Sequence, residues 1–176
     1  MELDELRKDC ALRQKKGLHF ILASIVIWAL ILAVQLTKLT VEQKNIVIFC
    51  CSAILFPLAW GLSKALGIDF EGKGNPLTKA GIIFSINQLL YILIAMWVFA
   101  AVPDKMLMVY TMIFGAHLMP FSWLYQSKSY LILSIFIPIM ALVVGLLCPP
   151  YVLAIIMVVI EILFSLCLSR EVKKLA

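Results

Sequence analysis

The sequence has few charged residues and no polar stretch long enough to form a separate soluble domain. Charged side chains make up 14% of its 176 residues, whereas soluble domains contain about 25%. Apolar residues make up 64% of the chain, and its mean hydropathy is +1.05. This composition excludes a soluble catalytic domain and a soluble nucleic-acid-binding domain. It predicts an all-α, polytopic membrane protein.

Motifs of common enzymes and metal sites are also absent. The five cysteines form no CxxC pair, and no cluster of Cys and His has the spacing that zinc requires. The sequence contains no G-x-S-x-G elbow, no H-E-x-x-H pair and no glycine-rich phosphate loop. It therefore predicts no metal and no cofactor, and it disfavours an enzyme without excluding one.

Six long apolar runs are present, and each is long enough for a membrane-spanning helix of about 20 residues. Turns containing Gly, Pro or charged residues separate them. Residues 1–17 are predicted to form a cytoplasmic amphipathic segment, either a surface helix or a solvated tail, and residues 170–176 a cytoplasmic tail. The six-helix domain at 18–169 has predicted spans at 18–37, 46–66, 80–102, 106–125, 130–148 and 150–169.

The basic residues are distributed unevenly between the two sides of this predicted bundle. Of the 15 Lys and Arg residues, only Lys38, Lys44 and Lys105 fall in loops on the side opposite the N-terminus. Short loops on the cytoplasmic side of a membrane carry an excess of Lys and Arg. Both termini are therefore expected in the cytoplasm.

A resemblance to a known family is carried by residues 86–130, INQLLYILIAMWVFAAVPDKMLMVYTMIFGAHLMPFSWLYQSKSY. This run resembles an uncharacterised family of small bacterial polytopic membrane proteins, grouped as a domain of unknown function, and the resemblance extends over most of the chain. It implies a multi-pass protein of the bacterial inner or plasma membrane. It supplies no activity and no site residues.

One carboxylate lies where hydrocarbon is expected. Glu161 is the only acidic residue inside the apolar runs, and a charge at the bilayer centre costs about 2.5–3.5 kcal/mol or more. Counting residues from the loops places His117, Tyr91, Gln88 and Asn87 near the same depth. These five residues are predicted to form a substrate or proton site, with Gln88 favoured over its neighbour Asn87. The alternative is that they are structural hydrogen-bonding contacts between helices.

Three prolines lie inside the apolar runs and are predicted to kink their helices: Pro57, Pro120 and Pro138. Pro57 and Pro138 occupy matching positions in two three-helix halves of opposite orientation. Interrupted helices in matching positions of inverted halves are typical of transporter sites.

The features together favour a small transporter or permease-like protein for a small molecule or ion, with Glu161 as its protonatable group. One alternative is an intramembrane lipid-modifying enzyme with Glu161 and His117 as acid and base. Another is a non-catalytic sensor or assembly partner. The expected partners are the lipid bilayer, a small ligand and, because six helices are few for a carrier, a second copy of the chain. No nucleic acid is expected.

Overall fold

A computed structural model describes residues 2–70, 72 and 74–175, and all regular secondary structure within them is helical. Lys73, one of the basic residues counted above, lies outside the described residues. The α-helices are α1 (Leu3–Arg13), α2 (Leu18–Gln35), α3 (Val41–Ala53), α4 (Leu55–Ala65), α5 (Leu77–Ala101), α6 (Met106–Ala116), α7 (Leu118–Leu124), α8 (Lys128–Leu147) and α9 (Pro150–Lys173). Short 3₁₀ turns at Lys15–Gly17 and Pro103–Lys105 precede α2 and α6.

The described helices form six segments that are long and apolar enough to cross a membrane, which confirms the predicted number and the all-α fold. Four segments are the single helices α2, α5, α8 and α9, and two are the consecutive pairs α3–α4 and α6–α7. Such segments belong to a multi-pass membrane protein, because a helix satisfies its own backbone hydrogen bonds in hydrocarbon.

The second segment begins earlier than the apolar run suggested. The helix starts at Val41 because the hydroxyl of Thr40 accepts a hydrogen bond from the Gln43 amide, while the Gln43 side chain bonds the Thr40 amide. This reciprocal capping box satisfies two backbone groups that a helix start otherwise leaves unpaired. The helix therefore includes residues 41–45, four of them polar or charged, which hydropathy alone assigns to the loop.

Two of the three prolines coincide with interruptions of a segment. The α3–α4 pair is interrupted at Ile54 and the α6–α7 pair at His117, each three residues before a proline, Pro57 and Pro120. Proline has no amide proton to donate and its ring crowds the carbonyl four residues earlier, so the preceding turn is the one that opens. In contrast, α8 continues without interruption through Pro138.

The bundle is packed closely on one side. α2 packs along α9, and α6 packs along α8. Gly115 allows the α6–α8 approach, because a Cβ atom there would lie 2.6 Å from Cδ of Pro138 and 2.7 Å from Cβ of Ile137. Trp28 of α2 is buried between these pairs, with ring contacts to Tyr110 and Phe114.

α5 is the most loosely packed of the six described segments, although the α3–α4 segment is nearly as exposed. It contacts α6 and α7, but it has no extensive contact with α4 in the described part of the chain. Many of its large apolar side chains are exposed, among them Ile82, Ile86 and Leu89. A cleft is therefore left between α4 and α5.

α1, which lies within the segment at 1–17, is hydrogen-bonded to the bundle. The Arg7 guanidinium donates to the carbonyl of Trp123 at 2.6 and 2.9 Å and lies over its ring. The Asn75 amide donates to the Leu6 carbonyl and to Asp9, both at 2.8 Å. The end of the bundle that carries α1, with the start of α2 and the end of α9, is called the terminal end below.

Candidate functional site

Glu161 is sealed inside the bundle, between α9 and α2. Its relative exposure is 0%, and its Oε2 atom is hydrogen-bonded to the hydroxyl of Ser24. Its other oxygen, Oε1, has no hydrogen-bond partner among the described residues. The side chain that pairs with the buried acid is thus Ser24, which the sequence analysis did not single out. The sequence could have indicated this partner, since Ser24 is the only Ser or Thr in α2.

The Ser24 hydroxyl can serve either protonation state of Glu161. Its oxygen lies 2.7 Å from the Ile21 carbonyl in addition to its contact with the carboxyl group. A hydroxyl has one proton to donate and can also accept. If Glu161 is protonated, it donates to Ser24 and Ser24 donates to Ile21. If Glu161 is ionised, Ser24 donates to the carboxylate instead.

Ser24 also lies on the wall of a cavity of about 460 Å³, called the inner cavity. The wall carries a second polar pair, in which the hydroxyls of Ser52 and Tyr110 lie 2.7 Å apart. Trp28 and Phe114 contribute apolar surface. The buried carboxyl group of Glu161 is therefore separated from the inner cavity by the Ser24 side chain.

A second cavity, of about 340 Å³, lies toward the terminal end and is called the terminal cavity. The two cavities adjoin, and together they form the α4–α5 cleft. The residues that line both are Leu55, Phe56, Ser85, Gln88 and Leu89.

The three residues of the predicted site that belong to α5 lie in different environments. Gln88 lies on the wall of both cavities. Asn87 is exposed, and its amide donates to the hydroxyl of Tyr91 at 3.0 Å along the same helix. Neither Asn87 nor Tyr91 lines the inner or the terminal cavity. Of the three, the structure brings only Gln88 to the cleft.

His117 lies at the interruption between α6 and α7 and not on the wall of the cleft. Its ring packs against Phe114 and Phe121, with centroid separations of 5.3 and 6.2 Å, and its Nδ1 atom has no described partner. No hydrogen bond or ion pair joins it to Glu161 within the described residues. Residue counting gave the two side chains a similar depth, but it could not give the direction in which each points around its helix.

His19 is a cleft residue that the site prediction missed. It lines the terminal cavity, its relative exposure is 3%, and its Nδ1 atom has no hydrogen-bond partner among the described residues. The ring lies between Phe20 and Phe70, at centroid distances of 4.5 and 5.5 Å. A histidine near the start of an apolar helix is typical of the membrane interface, so the sequence alone does not indicate that His19 is buried.

A tight turn crosses the terminal end of the cleft. Lys15, Lys16 and Gly17 all have positive φ angles, of 43°, 51° and 72°. Left-handed backbone is costly for the two lysines and easy for glycine. The Gly17 position also leaves little room for a side chain, because a Cβ atom would lie 3.1 Å from the Tyr130 hydroxyl.

Contacts to the lysines hold this turn in place. The Lys16 ammonium pairs with Glu171 at 2.8 Å, and the Lys16 carbonyl accepts from the Tyr130 hydroxyl at 2.9 Å. Glu171 also accepts hydrogen bonds from Ser127 and Ser129. The partly buried ion pair and the hydrogen bonds to Glu171 therefore join the turn before α2 to the end of α9 and the start of α8. Because Gln14 and Gly17 line the terminal cavity, the turn also forms part of its wall.

α1 contributes two titratable groups at this end, and their pKa values are shifted. Hydrogen bonds from Arg13 and Asn75 lower the pKa of Asp9 below its ordinary value. Burial raises the pKa of the Cys10 thiol to about 11, with the nearby Asp9 charge adding to the effect. Cys10 is 1% exposed, so it is a packed side chain under α1 and its thiol is an unreactive one at neutral pH.

Comparison with known proteins places the chain in a family without assigning an activity. No curated protein and no solved structure matches it. The model of one family, described as a family of unknown function (DUF7010), matches residues 3–171. The resemblance expected from the sequence is thereby confirmed. The chain, which has six helical segments apolar enough to cross a membrane within its described residues, belongs to this family of unknown function, DUF7010.

Proposed function

We propose that this chain is a small permease-like protein that binds a small molecule in the α4–α5 cleft and uses Glu161 as its protonatable group. The observation that carries the proposal is the position of Ser24, which lies on the inner cavity and is hydrogen-bonded to the sealed carboxyl group. Acidic residues within membrane-spanning segments are rare and commonly mark ion or proton pathways.

Ser24 can couple the protonation of Glu161 to binding in the cavity. When Glu161 is ionised, its carboxylate holds the single proton of the Ser24 hydroxyl. When Glu161 is protonated, it donates to Ser24, and the Ser24 proton is free to bond either Ile21 or a ligand in the inner cavity. A ligand that accepts this hydrogen bond therefore binds the protonated state more tightly, and by linkage its binding favours protonation.

The two helix interruptions lie beside the cleft. Leu55 and Phe56 follow the interruption at Ile54 and line both cavities, while Phe114 and Phe121 flank the interruption at His117 and each line one. Interrupted helices bend at low cost, so these positions are suited to opening and closing the cleft. The distribution of basic residues supports a cytoplasmic location for the terminal end. The resemblance supports a bacterial cell membrane.

Infrared difference spectroscopy during a pH titration tests the proposal. Wild-type protein should show a reversible carboxylic-acid band that is absent in Glu161→Gln. In Ser24→Ala the band should shift, because one hydrogen bond to the carboxyl group is lost. Ser134→Ala is the matched control, since Ser134 is equally buried but its hydroxyl bonds only the Leu131 carbonyl.

A carboxyl band that stays unchanged from acid to alkaline pH would mean that Glu161 never changes its protonation state and is structural, and the permease proposal would fail. The same titration of His117→Leu distinguishes the permease from the alternative, an acid–base enzyme. That mechanism requires His117 to shift the Glu161 band, whereas the geometry here predicts no change.

A further inference from the structure

We infer that the ligand of the α4–α5 cleft is an uncharged amphipathic lipid-like molecule, whose hydroxyl or carbonyl head bonds His19 and Gln88 and whose apolar part enters sideways from the bilayer. Its role as a transported substrate rests on the proposed function. Its binding in the cleft does not.

The lining of the cleft selects against charge. No Lys, Arg, Asp or Glu is found among the described residues that line either cavity. A charged head in such a site would lose its hydration without gaining a counter-charge, which costs several kcal/mol. The phenylalanines that surround it, Phe20, Phe56, Phe70 and Phe121, provide apolar surface instead.

Two polar side chains on the wall lack partners. His19 is 3% exposed with an unpaired Nδ1 atom, and the Gln88 amide has no hydrogen bond to any described residue. Buried polar groups almost always have a partner, so the unpaired buried His19 on a cavity wall indicates a ligand contact. Gln88 is half-buried, and its free amide lies on the wall of the same cavity. An imidazole and an amide can each donate or accept, which matches a hydroxyl or carbonyl head.

The cleft is open toward the side of the bundle. Phe56, Ile82, Ile86 and Leu89 line it and are also exposed on the apolar outer surface. At the terminal end, by contrast, the Tyr125 hydroxyl bonds the Gln14 side chain at 2.7 Å and Gly17 packs against Tyr130. Access from the hydrocarbon is therefore the less obstructed route.

The size of the cleft fits such a ligand. The adjoining cavities measure about 340 and 460 Å³, and pockets for small ligands range from about 300 to 1,000 Å³. The polar head is placed where the two cavities meet, between His19 of the terminal cavity and Ser24 of the inner cavity, and the apolar part occupies the remaining volume. Gln88 lies on the wall of both, so it is placed to contact the head where the two cavities meet.

Photoaffinity labelling in phosphatidylcholine vesicles tests this inference. Three probes with the same diazirine-bearing alkyl chain carry a hydroxyl, a carboxylate or a trimethylammonium head. The hydroxyl probe should label peptides of α4 and α5 above the other two. Gln88→Leu should reduce this labelling about fivefold, the ratio for one net hydrogen bond. His19→Phe, which keeps an aromatic ring between Phe20 and Phe70, should have a similar effect.

Asn87→Leu is the matched control, because Asn87 is an exposed amide on the same helix outside the cleft. It should leave the labelling unchanged. Equal labelling by all three probes, or labelling insensitive to Gln88→Leu, would mean ordinary lipid contact and would overturn the inference. If labelling is specific but Glu161 does not titrate, the ligand site stands and the permease fails. If Glu161 titrates but labelling is unspecific, the permease requires a different substrate.

Discussion

The α2–α9 interface and the α4–α5 cleft lie in the same bundle, and they differ in how closely their helices pack. In the most apolar stretch of α2 and of α9, 44% of residues are buried, compared with 11% in α5. Ala23 and Ala154 are fully buried in the first region, whereas the second presents Ile86 and Leu89 at its surface. α5 is nevertheless as suitable for crossing a membrane as the other two.

The difference shows that apolar character does not determine packing within a membrane. Lipid chains solvate a leucine as well as another helix does, so helices associate through close fit and interhelical hydrogen bonds. α2 and α9 have both, through small residues and the Ser24–Glu161 pair. α5 has bulky residues facing outward and an unpaired Gln88. One region encloses a buried carboxyl group, and the other leaves an open cleft.

The largest expected effect comes from filling a close contact. Gly115→Leu should destabilise the protein by about 3 kcal/mol or more, because its side chain would overlap Pro138 and Ile137. Gly61→Leu is the control in the loosely packed part, since nothing lies within 4 Å of a Cβ atom there. Thermal unfolding in detergent, followed by circular dichroism, should show a large loss for the first variant only. Equal losses would contradict the contrast between the two regions.

A matched pair of serine substitutions tests the contrast more finely. Ser24→Ala removes a hydrogen bond to Glu161 and should cost about 1 kcal/mol. Ser85→Ala removes only a bond to the Gly81 carbonyl of its own helix and should stay within about 0.5 kcal/mol of wild type. The same unfolding measurement resolves them. A larger loss for Ser85→Ala would mean that the cleft wall is as tightly coupled as the α2–α9 interface.

The smallest effect concerns the thiol beneath α1. Because burial raises the pKa of Cys10 to about 11, its alkylation by a maleimide should stay slow at neutral pH and increase only as the pH approaches that value. Cys148 is exposed and should react readily. Arg7→Met removes the contacts to Trp123 and should expose Cys10 and speed its labelling. Mass spectrometry of the two peptides measures both rates. Fast labelling of Cys10 in wild type would contradict the docked position of α1.

Much of the fold could be predicted because it depends on local properties of the chain. Apolar length defines six segments, and the prolines indicate where two of them are interrupted. The site was predicted less completely. Gln88 does line the cleft, but His117, Asn87 and Tyr91 do not, and Ser24 and His19 were missed. Counting residues gives a depth along the helix axis, and it does not give the rotation of the helix about that axis.

The sequence by itself determined that this chain forms six apolar helices and that Glu161 needs a polar partner, because both follow from the cost of placing polar groups in hydrocarbon. Only the tertiary structure decided that the partner is Ser24 and that α4 and α5 separate around a cleft containing His19 and Gln88. These outcomes depend on which helix faces meet. In a membrane that choice is made by shape complementarity between helices, which no single segment encodes.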